Sequence, residues 1–367
     1  MKMVILKMKF RVYCPECGKN YEPQLRPPRC VCGKPLSSTT DWQALDIDPS
    51  KRGMFRYFQA LPLVDEDLSM GEGWTPLIPA LGRDNLLFKL EFLCPTGSFK
   101  DRGAVMVVAD AVNACCDSVV IDSSGNAGAS VAAYSARAGI KAYVVVPKDT
   151  SEGKKKQIAA FGAEVIEVPG GRSEAAKKAM GMAEKIFYAS HVWNPLFIEG
   201  TKTVAFEIWE QLGEMAPDAV LSPAGNGTML LGLYKGFKEL MQRGLARRMP
   251  KIFAVQSERC NPLYSAFYKQ GKRIGKTLAE GIAVAEPPRL NEMLSAVRST
   301  GGGVLTVSEE EIASKQSRLA KEEGLLVEPT AAVAPAAEAL LREMGLLGSK
   351  DLVVVPLTGS GMKKPPE

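Results

Sequence analysis

The sequence predicts an α/β protein assembled from βα units, and three observations lead there. From about residue 85 onward, short β-branched runs alternate with longer helical patterns. Several runs are almost wholly apolar, as parallel strands covered on both faces must be. Glycine-bearing loops stand where a strand run gives way to a helical one, as βα connections require. Strands are expected at Ser118 to Asp122, Ala142 to Pro147, Glu164 to Val168, Ala219 to Ser222, Ile252 to Gln256, Val304 to Val307 and Leu352 to Pro356. Helices are expected near Arg102 to Ala114, Asn126 to Ala138, Lys154 to Phe161, Thr201 to Leu212 and Met229 to Met241. One further helix has both ends marked, by a Ser308 and Glu311 capping box and by Gly324 as its stop.

With 367 residues the chain is long enough for two or three domains, and 46% hydrophobic with 24% charged residues is a soluble globular composition. The net charge of +5 is scattered without a basic tract, so nucleic acid and membrane surfaces are not expected partners. The start, Met1 to Phe10, is broken by lysines and lacks a signal-peptide core, so it reads as mature sequence. No apolar run reaches the roughly eighteen residues a membrane span needs, and a cytoplasmic location is expected. The single histidine, His191, removes His-rich metal sites, and beside Trp193 and Asn194 it reads as a packed or surface residue.

Four of the eight cysteines lie early, as Cys14-Pro-Glu-Cys17-Gly and Cys30-Val-Cys32-Gly. Paired thiolates at turns with following glycines let backbone amides face the sulfurs, and four sulfurs complete a tetrahedral structural zinc site. We read residues 1–45 as a zinc ribbon, although the second pair has one intervening residue rather than two. Cys94, Cys115, Cys116 and Cys260 lack ligand spacing and are expected as buried small apolar residues.

The segment with most chemical content is Pro95-Thr96-Gly97-Ser98-Phe99-Lys100-Asp101-Arg102-Gly103, which carries a lysine from a tight turn to a helix start. An imine-forming lysine must shed its proton readily, and desolvation or a neighbouring cation such as Arg102 favours that. The turn alone is equally compatible with an exposed lysine. Two other loops join strands to helices. Ser222-Pro223-Ala224-Gly225-Asn226-Gly227-Thr228 has the glycines to turn backbone amides toward a phosphate, and Ser123-Ser124-Gly125-Asn126-Ala127-Gly128 opens a helix whose start suits a carboxylate. Asn126 is also a natural N-cap residue.

The wording Ser98-Phe99-Lys100-Asp101-Arg102-Gly103 resembles the lysine motif of the threonine synthases, among the fold type II pyridoxal-phosphate enzymes. The resemblance extends to Gly73-Trp74-Thr75-Pro76-Leu77, Asn194-Pro195, Glu199-Gly200-Thr201-Lys202-Thr203 and Glu328-Pro329-Thr330. It implies two doubly wound α/β domains behind the zinc ribbon, a large one from 50–96 and 201–367 and a small one at 97–200, and a homodimer. It implies pyridoxal 5'-phosphate, with Lys100 as Schiff-base lysine and Gly225, Asn226, Gly227 and Thr228 as the phosphate cup. Asn126 would meet the ring oxygen, and Thr358 would face the pyridine nitrogen. Ser124, Gly125, Asn126 and Ala127 would hold the substrate carboxylate.

The implied reaction is loss of phosphate from O-phospho-L-homoserine and addition of water to give L-threonine. Some residues depart from that pattern. Phe197 stands where many threonine synthases carry an arginine, and Lys154 with Lys155 and Lys156 could replace its positive charge toward substrate phosphate. Met229 and Ser360 occupy places where the family often has threonine and histidine. Asn126-Ala127-Gly128 and the segment around Glu280 are nearer to serine and threonine dehydratases. The alternative reading is therefore a dehydratase, or a β-replacement synthase acting on serine or phosphoserine.

Overall fold

The computed structural model describes residues 6–7, 9–24 and 26–363; most of the start read as mature sequence, residues 1–5 and 8, lies outside that range. The chain divides into two compact units. The first comprises Met1–Gly73, Cys94–Thr96 and Lys100–Thr201; the second comprises Trp74–Leu93, Gly97–Phe99 and Lys202–Glu367.

The first unit holds a four-stranded parallel sheet in the order Glu164–Val168, Lys141–Pro147, Ser118–Ile121, Phe187–Tyr188. Successive side chains of a strand point to opposite faces, and here both faces are covered. Val119, Ile121, Val144 and Val146 join the core that includes helices Lys100–Asn113 and Asn126–Ala138, while Val120 and Val145 pack with Ala175 and Ala179 of helix Arg172–Met182. The helix Lys100–Asn113 is buried on nearly every side from Asp101 to Ala111. Ahead of the sheet, Phe10–Tyr13 pairs antiparallel with Asn20–Tyr21 and with Ser37–Thr40. Ser38 and Thr40 donate to Glu199 Oε1 and Oε2 at 2.8 and 3.1 Å, tying this small module to helix Leu196–Thr201.

The second unit holds a six-stranded sheet in the order Val304–Val307, Lys251–Ser257, Ala219–Pro223, Val353–Pro356, Arg83–Lys89, Leu77–Ala80. All neighbours are parallel except the last pair. Leu221, Phe253, Val255, Leu305, Val353 and Val355 pack into one core with helix Pro329–Ala336. The marked helix forms as expected: Ser308 Oγ accepts from the Glu311 amide, Glu311 returns the bond, and Gly324 closes it at φ +70°. Among the described residues no helix is long and apolar enough to cross a membrane.

Three expectations need correction. The helix expected at Thr201 to Leu212 is two helices, Leu196–Thr201 and Thr203–Gln211. Cys94 and Cys260 are buried, but Cys115 is exposed and Cys116 only partly covered. They lie past the end of helix Lys100–Asn113, in a turn whose amides bond back to Val112 and Ala111. Finally, the N-cap of helix Asn126–Ala138 is Gly125, in extended conformation, and Asn126 is the first helical residue.

Candidate active site

In the first unit the chain delivers Lys100 to the first position of a helix. Asp101, next in sequence, closes the base of the turn: Thr96 donates to it twice, from its amide to Oδ2 at 2.7 Å and from its hydroxyl to Oδ1 at 2.5 Å. An acidic residue in a first helical turn also complements the helix dipole. Lys100 Nζ stands 5.8 Å from the centroid of the Phe197 ring, and Phe197 is wholly buried. Gly103 makes that placement possible, since a Cβ there would lie 2.4 Å from a ring carbon. The wall beside the lysine is thus aromatic and apolar where a guanidinium was a family expectation.

The Ser124, Gly125, Asn126 and Ala127 loop follows the strand Ser118–Ile121 and opens the helix Asn126–Ala138. Its curvature depends on Gly128, where a Cβ would fall 1.9 Å from the Ser123 carbonyl oxygen. The N-cap, Gly125, has no side chain of its own to cap this helix, and Ser124, Gly125 and Asn126 are partly solvent-accessible; a helix start of this kind suits an anion. Asp122 at the strand end accepts from the Tyr188 hydroxyl at 2.6 Å, and burial raises its carboxyl above the ordinary range despite that bond.

Of the three lysines after Gly153, Lys155 is engaged by the protein: its Nζ lies 2.9 Å from Glu152 and 2.9 Å from Glu167. Lys154 lies in the first turn of helix Glu152–Ala160 and is partly exposed. In the small module all four sulfurs of Cys14, Cys17, Cys30 and Cys32 lie within 4.8 Å of one another. Gly18 and Gly33 return amide bonds to the Cys14 and Cys30 carbonyls, making the two knuckles.

In the second unit, Gly225, Asn226, Gly227 and Thr228 connect the strand Ala219–Pro223 to the helix Thr228–Gln242. Gly227 is the N-cap at φ +83°, a conformation that side chains oppose. A Cβ on Gly225 would lie 2.8 Å from Ile282 Cα, so the loop needs a bare backbone at both places. Gln256 supports it, donating to the Ala224 carbonyl at 2.7 Å. Thr358 follows the strand Val353–Pro356, and its carbonyl accepts from the Phe99 amide at 3.1 Å. Its hydroxyl is buried without a hydrogen-bond partner. An unpaired buried hydroxyl costs about 1–3 kcal/mol, and a ring nitrogen is one group that would fit it as a partner.

Sequence reasoning gave no role to Thr96, Ser130, Asp122 and Tyr188; the Thr96–Ser130 and Asp122–Tyr188 pairings span long sequence separations and leave no local pattern. It also missed a buried network in the second unit, where Lys89 pairs with Glu207 at 2.8 Å and donates to the Thr75 carbonyl and to Gln211.

Taken unit by unit, a lysine opening a helix in the first, and a bare-backbone loop opening a helix with an unpaired buried hydroxyl in the second, are features that suit enzymes holding a phosphorylated pyridine through a lysine. The family described as pyridoxal-phosphate dependent enzyme matches residues 68–359. The chain is 36% identical over 374 residues to the threonine synthase of Methanocaldococcus jannaschii, covering 96% of this chain and 92% of that one. It is 33% identical to the threonine synthase of Methanosarcina acetivorans, covering 97% and 93%. Among solved structures it is similar to the threonine deaminase of T.th., with a TM-score of 0.67 and 28% identity over 80% of this chain and 94% of that one. The chain belongs to the pyridoxal-phosphate-dependent enzymes and, within them, to the threonine synthase family.

Proposed function

We propose that the chain is a carbon–oxygen lyase of threonine-synthase type, converting O-phospho-L-homoserine and water to L-threonine and phosphate. The observation that carries this reading is the reach of the likeness: 96 and 97% of the chain aligns with threonine synthases, the cysteine-bearing start included. The threonine deaminase likeness, with Asn126-Ala127-Gly128 and Glu280, supports a dehydratase or β-replacement synthase as the second reading.

Bound pyridoxal phosphate supplies an electron sink for charge developing on the amino acid's carbons. Lys100 would carry the cofactor at rest and, once displaced by the substrate, take the α-proton as base and return it as acid. Gly225, Asn226, Gly227 and Thr228 would hold the phosphate on first-turn amides, which adds no mobile charge. Thr358 would donate to or accept from the ring nitrogen without holding it protonated as a carboxylate would, which favours elimination and replacement over transamination. Asn126 would bond the ring oxygen. Ser124, Gly125, Asn126 and Ala127 would orient the substrate carboxylate, and Lys154 would meet its phosphate.

The organisation behind this reading is a ribbon at 1–45, a large domain at 50–96 with 201–367 and a small domain at 97–200, in a cytoplasmic homodimer. Cys14, Cys17, Cys30 and Cys32 would hold structural zinc. Sulfurs at 2.3 Å from zinc stand about 3.8 Å apart in a tetrahedron, and the Cys14–Cys32 and Cys17–Cys30 pairs lie at 3.6 and 3.5 Å. The deciding experiment offers O-phospho-L-homoserine and follows phosphate and threonine, then offers serine and threonine and follows oxo acid. Oxo acid without phosphohomoserine turnover would replace the first reading by the second.

A further inference from the structure

We propose that Thr96 is a positioning residue for Lys100, fixing the lysine relative to the helix that begins at Asn126. The proposal rests on the reading of Lys100 as the cofactor lysine. Thr96 and Lys100 bracket the three residues Gly97–Phe99, which leave the first unit and return to it. Both ends of that excursion are held. On the outgoing side Phe99 donates to the Thr358 carbonyl, and Ser360 donates to the Gly97 carbonyl at 2.9 Å. At the base, the Thr96 amide and hydroxyl both go to the Asp101 carboxylate.

The hydroxyl has one proton, and Asp101 takes it at 2.5 Å. The 3.0 Å contact between Thr96 Oγ1 and Ser130 Oγ is therefore donated by Ser130. Ser130 lies in the second turn of the helix Asn126–Ala138. The result is a directed chain from Ser130 to Thr96 to Asp101, with Ser130 and Asp101 wholly buried and Thr96 nearly so. A fully satisfied buried side-chain network rigidifies what it joins, so each link holds its neighbours in one geometry. Asp101 is bonded to Lys100 through the backbone, and Ser130 is one helical turn beyond Asn126. The lysine and the anion-accepting loop are set by the same three side chains.

Valine is isosteric with threonine and removes only the hydroxyl bonds, keeping the amide bond to Asp101. Serine keeps the hydroxyl. The test uses full-length protein stripped of cofactor, adds pyridoxal 5'-phosphate, quenches with borohydride at intervals and quantifies the reduced adduct on the Lys100 peptide by mass spectrometry. The expected result for Thr96→Val is a fall in the rate of adduct formation of about tenfold or more, with Thr96→Ser within about threefold of the parent. Equal rates in the parent and Thr96→Val would overturn the proposal, as would equal losses in Thr96→Val and Thr96→Ser. Should Thr96→Val fail to fold, Ser130→Ala carries the test, since it cuts the link to the helix and leaves both bonds to Asp101. An unchanged rate in that variant would also overturn the proposal. Absence of any Lys100 adduct in the parent chain would instead refute the cofactor-lysine reading, and the proposal with it.

Discussion

Gly227→Ala should weaken cofactor binding through two separable effects. At φ +83° an alanine enters a conformation that costs roughly 1–2 kcal/mol for an L side chain. Its Cβ would also stand 2.5 Å from Met293 Sδ and 2.7 Å from Met293 Cγ. Met293 is wholly buried, and such overpacking costs about 1–3 kcal/mol. The cup relieves both by shifting its backbone, so the amides leave the positions a phosphate needs. A loss of about 2 kcal/mol is roughly a thirtyfold rise in Kd for pyridoxal 5'-phosphate, read by equilibrium titration of stripped protein. Met293→Ala in the same chain opens the space and should recover the steric share, leaving the backbone share of about tenfold. Gly227→Ala binding as tightly as the parent would refute the reasoning. So would a Met293→Ala double variant that recovers nothing.

Thr358→Val should have opposite effects in two states: it removes a buried unpaired hydroxyl and so stabilises the stripped protein by about 1 kcal/mol, while weakening cofactor binding. Denaturation midpoints and cofactor titration would check both signs. Burial pushes the Glu72 carboxyl up to about 7, against hydrogen bonds from Tyr134 and the Met70 amide. The folded chain then holds a proton that the unfolded chain has lost. Stability present below about pH 4.5 is therefore lost as pH rises through 7, by about 3 kcal/mol in all. Glu72→Gln should flatten this dependence in urea titrations between pH 5 and 8, and parallel curves for the two chains would contradict it. Metal analysis should find about one zinc per chain, lost on Cys17→Ser together with part of the thermal stability; less than about half an ion would count against a filled site.

The parts of this molecule that were legible in the sequence share a physical origin in local pattern. Glu164–Val168 and Val304–Val307 form where apolar runs placed them, and Asn126–Ala138 has the expected bounds. The strand Arg83–Lys89 escaped notice because Arg83, Asp84 and Asn85 mask its apolar second half, and its antiparallel partner Leu77–Ala80 contains Pro79 at a sheet edge. Helix Leu196–Thr201 was hidden by Gly200, which is needed because a Cβ there would meet the Arg102 carbonyl oxygen at 1.8 Å. At the candidate site the motifs singled out Lys100, the loop Gly225 to Thr228 and Asn126 as expectations. They could not announce Lys155 paired to Glu167, Thr96 bonded to Ser130 or a Thr358 hydroxyl left without a partner, since each is a property of packing between distant segments.

The most direct test of the account is turnover of O-phospho-L-homoserine in water enriched in oxygen-18, comparing the parent chain with Lys100→Ala. Elimination of phosphate followed by water addition predicts threonine carrying one labelled hydroxyl oxygen, an equal amount of phosphate with no label from the solvent, and neither product from Lys100→Ala. Label in the phosphate with release of homoserine, or undiminished turnover by Lys100→Ala, would contradict it.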